Sequence, residues 1–205
     1  MLEKSINKMI HLCHEFYQKN LVCSTGGNVS IRIGNDILIT PTGVSLGSVK
    51  DNELVRINLD GQIINKGNPS KEYKMHLMLY QVNKNCQIVV HIHSSYIIAA
   101  SCLNKPNSIM PIYTPGYASR IGYVKILPFY IPGSKQLSEA VSKEMGKNKA
   151  VILMNHGLVT WGNDFEKAKY IIEEIEENAK IFILTNGKGV PLSEKEISLL
   201  RNHKF

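Results

Sequence analysis

Apolar residues recur at three- and four-residue intervals near the N-terminus: Ile6, Met9, Ile10, Cys13, Phe16 and Tyr17. That period predicts an amphipathic helix over residues 1–19. The pattern then turns to short runs. STGGNVSIR, residues 24–32, reads as a glycine-rich turn entering a strand. DILITPTG, residues 36–43, reads as a second strand ending at a Pro-Thr-Gly turn. A short strand is expected near Leu54–Leu59, with Asp60-Gly61 as a hairpin turn. From Asn68 the helical period returns, with Ser70 as the expected N-cap of a helix reaching Val82.

CQIVVHIH, residues 86–93, is rich in Val and Ile and reads as a buried strand; SSYIIAASCL after it reads as a short helix. Further strands are expected near Ile109–Tyr113 and Val124–Leu127, and a helix over 135–147. KAVILMNHG is another buried strand, and GLVTWG continues the sheet. Asn163 is the expected cap of a long helix, with Glu166 in the capping-box position. Phe165, Ala168, Ile171, Ile172, Ile175, Ala179 and Phe182 form its apolar stripe, and Ser193 opens a last short helix. There is no internal repeat, no low-complexity linker and no dinucleotide-binding fingerprint. Alternating helices and strands predict a layered α/β fold, read as one domain over residues 1–205.

Composition narrows the class. The chain has 205 residues, 43% apolar and 20% charged, enough for a core and too few charges for a disordered chain. The N-terminal stretch lacks the apolar run of a signal peptide, and no segment approaches the roughly 20 apolar residues of a membrane helix. Cys13, Cys23, Cys86 and Cys102 fit neither a zinc ribbon nor a CxxC pair. A soluble cytoplasmic protein with reduced thiols is expected, without a membrane partner. The net charge is +7. Because the basic residues are scattered and not interleaved with aromatics, a solvated basic surface is expected rather than nucleic-acid binding, with attraction of a small anionic substrate toward a cleft as the functional alternative.

Candidate chemistry begins at His91-Ile92-His93. Alternate residues on a strand share a face, so both imidazoles can reach one cation. His156 ends a second apolar run and is followed by Gly157, where backbone or ligand can approach closely. Three imidazoles leave a coordination position open, the catalytic pattern for zinc. Taken alone, each histidine also fits a half-exposed strand end. Glu72, near the start of a helix, is a candidate acid/base; on spacing alone it equally complements the helix dipole. Gly26-Gly27-Asn28, Thr42-Gly43 and Ser70 supply small hydroxyls and backbone N–H groups suited to a phosphate. His76, His11, His14 and His203 read as structural or exposed.

In their order, GGNVSIR, ITPTG, NPSKE, VVHIHS and NHGLV resemble the class II aldolase/adducin family, from about Ile10 to Gly187. The resemblance implies a three-layer α/β/α sandwich with a central, largely antiparallel sheet. It implies a homotetramer with active sites at subunit interfaces. It also implies one divalent ion per subunit on His91, His93 and His156, with zinc first and manganese or cobalt as alternatives. The family's phosphate pocket maps onto Gly27, Asn28, Thr42, Gly43, Ser70 and Lys71, with Lys71 standing where the fuculose-phosphate aldolase pattern has serine. Glu72 matches the aldolase acid/base, where the family's epimerases carry Asp. Tyr113 matches a tyrosine facing a neighbouring subunit's site. PSKE, HLMLYQ, HIHSSY, TPGYASRIG and LPFYIPG resemble the family's 3-oxo-tetronate 4-phosphate decarboxylase subgroup. There Arg120 offers a fork for a substrate carboxylate, its plainer role being a surface or interface ion pair.

The expected activity is that of a metal-dependent sugar-phosphate lyase. It cleaves a C–C bond of a small phosphorylated ketose or keto acid through a metal-stabilised enediolate, giving dihydroxyacetone phosphate plus an aldehyde or carbon dioxide. The alternatives are decarboxylation specifically, or 4-epimerisation. The non-catalytic adducin head lacks the metal histidines that this chain has.

Overall fold

The computed structural model describes residues 2–146 and 148–203. Helix α1, Leu2–Gln18, buries Met9, Leu12, Cys13 and Phe16, the stripe its period announces. Strands β1 (Asn28–Ile33), β2 (Asp36–Ile39) and β3 (Val55–Asn58) follow. Next come α2 (Tyr73–Val82), β4 (Ile88–Ile92), α3 (Ser95–Leu103), α4 (Pro115–Arg120) and β5 (Lys125–Leu127). The remaining elements are α5 (Lys135–Met145), β6 (Ala150–Leu153), β7 (Gly157–Gly162), α6 (Phe165–Leu184) and α7 (Glu194–Asn202).

The strands form one seven-stranded sheet in the order β3-β2-β1-β4-β7-β6-β5. Neighbours are antiparallel except β5 and β6, which are parallel. Period-two alternation divides the core. Ile88, Val90 and Ile92 of β4 face a core shared with α1, α3, α4, α6 and α7, while Val89 faces a second core shared with α2 and α5. The result is the three-layer, largely antiparallel architecture that the resemblance implies. No helix among the described residues is long and apolar enough to cross a membrane, and all four cysteines are free.

Three local expectations change. Ile109–Tyr113 is not a strand: Ile109 makes one isolated bridge to Lys125. Pro111, lacking an N–H, cannot extend a ladder. Asn178 of α6 satisfies this segment instead, donating to Pro111 O and accepting from Tyr113 N, both at 2.8 Å. Asn178 is fully buried inside an apolar stripe, where the hydrophobic pattern passes over it. The long helix is capped by Asp164 rather than Asn163, with the Asp164 carboxylate accepting from Lys167 N at 2.8 Å. Ser70 does not cap α2. Its Oγ accepts from Glu72 N at 3.3 Å, and Glu72 itself occupies the N-cap position.

Candidate active site

Two strand ends build the site. The antiparallel β4–β7 register pairs His91 with Val159 and Ile92 with Leu158. The end of β4 therefore abuts the tight β6–β7 turn, residues 154–156, which carries His156. Gly157 makes this approach possible, since a Cβ there would lie 2.1 Å from Ile92 O. On the other side of β4, Asn28 pairs with His91, so their side chains share a face. Gly27 enters that strand with φ +77°, and a Cβ there would meet His91 O at 2.9 Å.

Four donor groups converge here. His91 Nε2 lies 2.8 Å from His93 Nε2, 3.2 Å from His156 Nε2 and 3.2 Å from Glu72 Oε2. His156 Nε2 lies 3.5 Å from Glu72 Oε1. One ligand atom from each of the four residues falls within 4.8 Å of all the others. Glu72 sits at the N-cap of α2, but its carboxylate makes no cap hydrogen bond. It turns to the histidines and to Asn28 Nδ2, which donates to Oε2 at 3.0 Å. Dipole complementation is thus not this carboxylate's main contact.

Burial and the Glu72 carboxylate pull the three rings in different directions. Burial pushes His93 down to about 3 and His156 to about 4, with the neighbouring His91 adding to the fall. Both therefore present lone pairs at neutral pH. Burial also opposes charge on His91, yet the Glu72 carboxylate and the Leu158 carbonyl outweigh it and raise this ring. Glu72 shows the reciprocal effect. Burial would raise it, but His91, His156 and the Asn28 amide hold it well below the usual carboxylate range.

These residues fit a divalent ion. His91 Nδ1–H donates to Leu158 O at 2.9 Å, which orients the Nε2 lone pair toward the other rings. Nε2 atoms this close must share either a proton or a cation. Ligands at roughly 2.05 Å around a tetrahedral zinc would sit about 3.3 Å apart, near the separations here. Three imidazoles and a carboxylate are a donor set suited to zinc and similar divalent metals.

Four of the six expected phosphate residues lie together beside Glu72. Pro41 bridges Pro69, Thr42 N donates to Asn68 O at 3.0 Å and Ser70 N to Thr40 O at 3.1 Å. That zip brings exposed Thr42, Gly43 and Lys71 beside buried Ser70. The zip takes up the Thr42 and Ser70 N–H groups but not that of Gly43. The Asn28 side-chain amide is engaged by Glu72 and by His76.

Tyr113 and Arg120 are not brought to the histidines within one chain. Tyr113 rests on Phe182 of α6, ring centroids 6.3 Å apart. Arg120 lies 4.8 Å over the Tyr170 ring and lines a cavity with Lys149 and Lys167. Lys149 precedes β6 whereas His156 follows it, so Arg120 is at the other end of that strand.

Residues that sequence reading leaves aside lie behind Glu72. His76 is fully buried and contacts Asn28 and Ser30, while Tyr80 contacts Ser30. The available signal was double spacing: Asn28 and Ser30 at i, i+2 on a strand, and Glu72, His76 and Tyr80 at i, i+4 and i+8 around a helix. Glu176 of α6 is another. It accepts from Ser94 Oγ at the start of α3, bracing the segment just after His93.

This geometry has relatives. A protein of Haemophilus influenzae named 3-oxo-tetronate 4-phosphate decarboxylase is 37% identical over 198 residues, covering 95% of this chain and 94% of that one. An L-fuculose phosphate aldolase of Methanococcus maripaludis is 41% identical over 184 residues, covering 87% and 97%. Among solved structures, YgbL of Escherichia coli, described only as an aldolase, epimerase or decarboxylase, superposes with a TM-score of 0.91 at 32% identity. That match covers 98% of this chain and all of that one. The sequence model for the Class II Aldolase and Adducin N-terminal domain matches residues 7–183, a span that includes every member of the histidine–glutamate cluster. With that match and these near full-length likenesses, the chain belongs to the class II aldolase/adducin family.

Proposed function

We propose that this chain is a metal-dependent carbon–carbon lyase acting on a small phosphorylated ketose or keto acid, releasing dihydroxyacetone phosphate with an aldehyde or with carbon dioxide. The observation carrying this reading is the convergence of three histidine Nε2 atoms and the Glu72 carboxylate within 4.8 Å, beside Ser70 and Lys71. His91, His93 and His156 would hold one divalent ion, zinc first and manganese or cobalt next. The ion would supply Lewis acidity to the carbonyl beside the bond that breaks. Lys71, Ser70, Thr42 and Gly43 orient the phosphate, with Gly27 shaping the adjoining turn.

Glu72 moves the proton. Its Oε2 is tied to Asn28, whereas Oε1 is buried without a hydrogen-bond partner. As a base, Oε1 takes the hydroxyl proton in an aldol cleavage; as an acid, once protonated, it delivers a proton to carbon after decarboxylation. The reading includes one domain and a cytoplasmic setting, which four free thiols suit. It includes a homotetramer, in which Tyr113 serves the site of a neighbouring copy and Arg120 either binds a substrate carboxylate or makes an interface ion pair.

Decarboxylation is the second reading, favoured by the near end-to-end match to the Haemophilus influenzae relative. The test is a product assay on the metal-loaded protein with phosphorylated ketoses and phosphorylated 3-keto acids. Dihydroxyacetone phosphate with an aldehyde marks an aldolase, and with carbon dioxide a decarboxylase. No product from either class, with metal bound, overturns the proposal.

A further inference from the structure

A hydrogen-bonded chain runs from Glu72 into the layer behind it. Asn28 Nδ2 donates to Glu72 Oε2 at 3.0 Å. His76 Nε2 lies 2.6 Å from Asn28 Oδ1, and Ser30 Oγ lies 2.7 Å from His76 Nδ1. Tyr80 OH donates to Ser30 O at 2.8 Å and sits 2.9 Å from Ser30 Oγ. Asn28, Ser30, His76 and Tyr80 are at most 4% exposed, so bulk water does not compete for these partners.

The direction of every bond follows from the charged end. An ionised carboxylate only accepts, so Asn28 must turn its NH2 to Glu72 and its Oδ1 to His76. An amide oxygen also only accepts, so His76 must carry its ring proton on Nε2. A neutral imidazole has one N–H, so Nδ1 accepts from Ser30 Oγ–H. The Tyr80 hydrogen is then directed to the Ser30 carbonyl. Burial drives His76 down to about 3, which keeps the ring neutral and the order unbroken.

We propose that His76 is a positioning residue for the reaction: through its Nε2–H it locks the Asn28 amide so that Glu72 Oε2 is tied and Oε1 is left to exchange the proton. This rests on the reading of Glu72 as the acid/base. Without the Nε2–H, Asn28 Oδ1 becomes a buried acceptor with no partner. An amide flip then sets oxygen against the carboxylate, and Glu72 loses its fixed orientation.

The test compares His76→Phe, which removes the donor, with His76→Gln, whose amide reaches the place of Nε2 and can restore it. Both are made in the full, metal-loaded chain. For His76→Phe, kcat is expected to fall about 10- to 100-fold, the scale of losing a buried hydrogen bond near a charge. KM and metal content should stay close to wild type. His76→Gln should recover most of the lost kcat. Nitrogen-15 NMR of the histidines in the metal-free protein reads the lock without turnover and should find the Nε2–H tautomer at His76. An Nδ1–H tautomer overturns the proposal, as does a His76→Phe variant with wild-type kcat at full metal content. Equal impairment of both variants, or a loss explained by missing metal, reduces His76 to a structural role. If His76→Phe does not fold, the tautomer and His76→Gln decide. A wild-type protein without turnover, or an active Glu72→Gln, defeats the proposed function instead, and the tautomer alone then reports on the lock.

Discussion

Gly157→Ala perturbs the site chiefly through the backbone. The added Cβ would sit 2.1 Å from Ile92 O, 3.1 Å from Ile92 C and 3.2 Å from His93 Cδ2. The first contact is roughly 1 Å short of any tolerated separation, and its partner is strand backbone that cannot rotate away. The end of β4 must therefore part from β7. Forced packing of this kind costs about 1–3 kcal/mol, which for a chain of this size lowers the melting midpoint by about 2–12 °C. Parting the strands also separates His91 and His93 from His156, whose Nε2 now lies 3.2 Å from that of His91. Disturbances next to a metal centre typically weaken affinity about 10- to 100-fold. Competition against a chromophoric chelator, together with thermal melting of the metal-free protein, measures both effects. Gly146→Ala is the control, because its φ of −63° suits alanine and its Cβ would meet nothing closer than 3.8 Å. A Gly157→Ala protein with the control's midpoint and metal affinity would refute the claim that this close approach holds the histidines together.

Glu72→Gln should lower turnover by roughly 10²–10⁴-fold while elemental analysis still finds bound metal; near-normal kcat would return Glu72 to the role of a helix-terminus residue. His91→Ala or His156→Ala should leave the purified protein with well under one equivalent of metal, and full occupancy in either would remove that residue from the ligand set. His76, pushed down to about 3 from an ordinary 6.5, binds its proton more readily in the unfolded chain. Its contribution to stability is therefore complete above about pH 6.5 and is lost as the pH falls toward 3. Metal-free His76→Gln should accordingly show a shallower loss of stability between pH 6.5 and 4 than wild type, although His93 and His156 keep some of the slope. Asn178→Ala removes both bonds that hold Pro111 and Tyr113. It should cost about 1–3 kcal/mol in chemical denaturation, and an unchanged midpoint would show that water replaces the amide.

Much of the fold was legible in the chain, because side-chain direction is a local consequence of backbone conformation. Period-two alternation placed His91 and His93 on one face, and the three- and four-residue periods marked the stripes of α1 and α6. Periodicity tells which residues share a face but not what covers it. Asn28, Ser30 and Arg32 form the polar side of β1, a pattern equally suited to solvent. The structure lays α2 over it, with His76 and Tyr80 bonded to Asn28 and Ser30, and Arg32 to the Tyr80 carbonyl. The same limit hid Asn178, a polar residue within an apolar stripe, and left open where Arg120 lies relative to His156. Glu72 could be read from sequence as a helix-end carboxylate; its contacts with His91 and Asn28 needed the β1–β4 pairing and the placement of α2. Asn28 and His76 are 48 residues apart, and no local preference specifies that meeting. It depends on strand register and layer packing, which set which faces come together only once the whole sheet has closed.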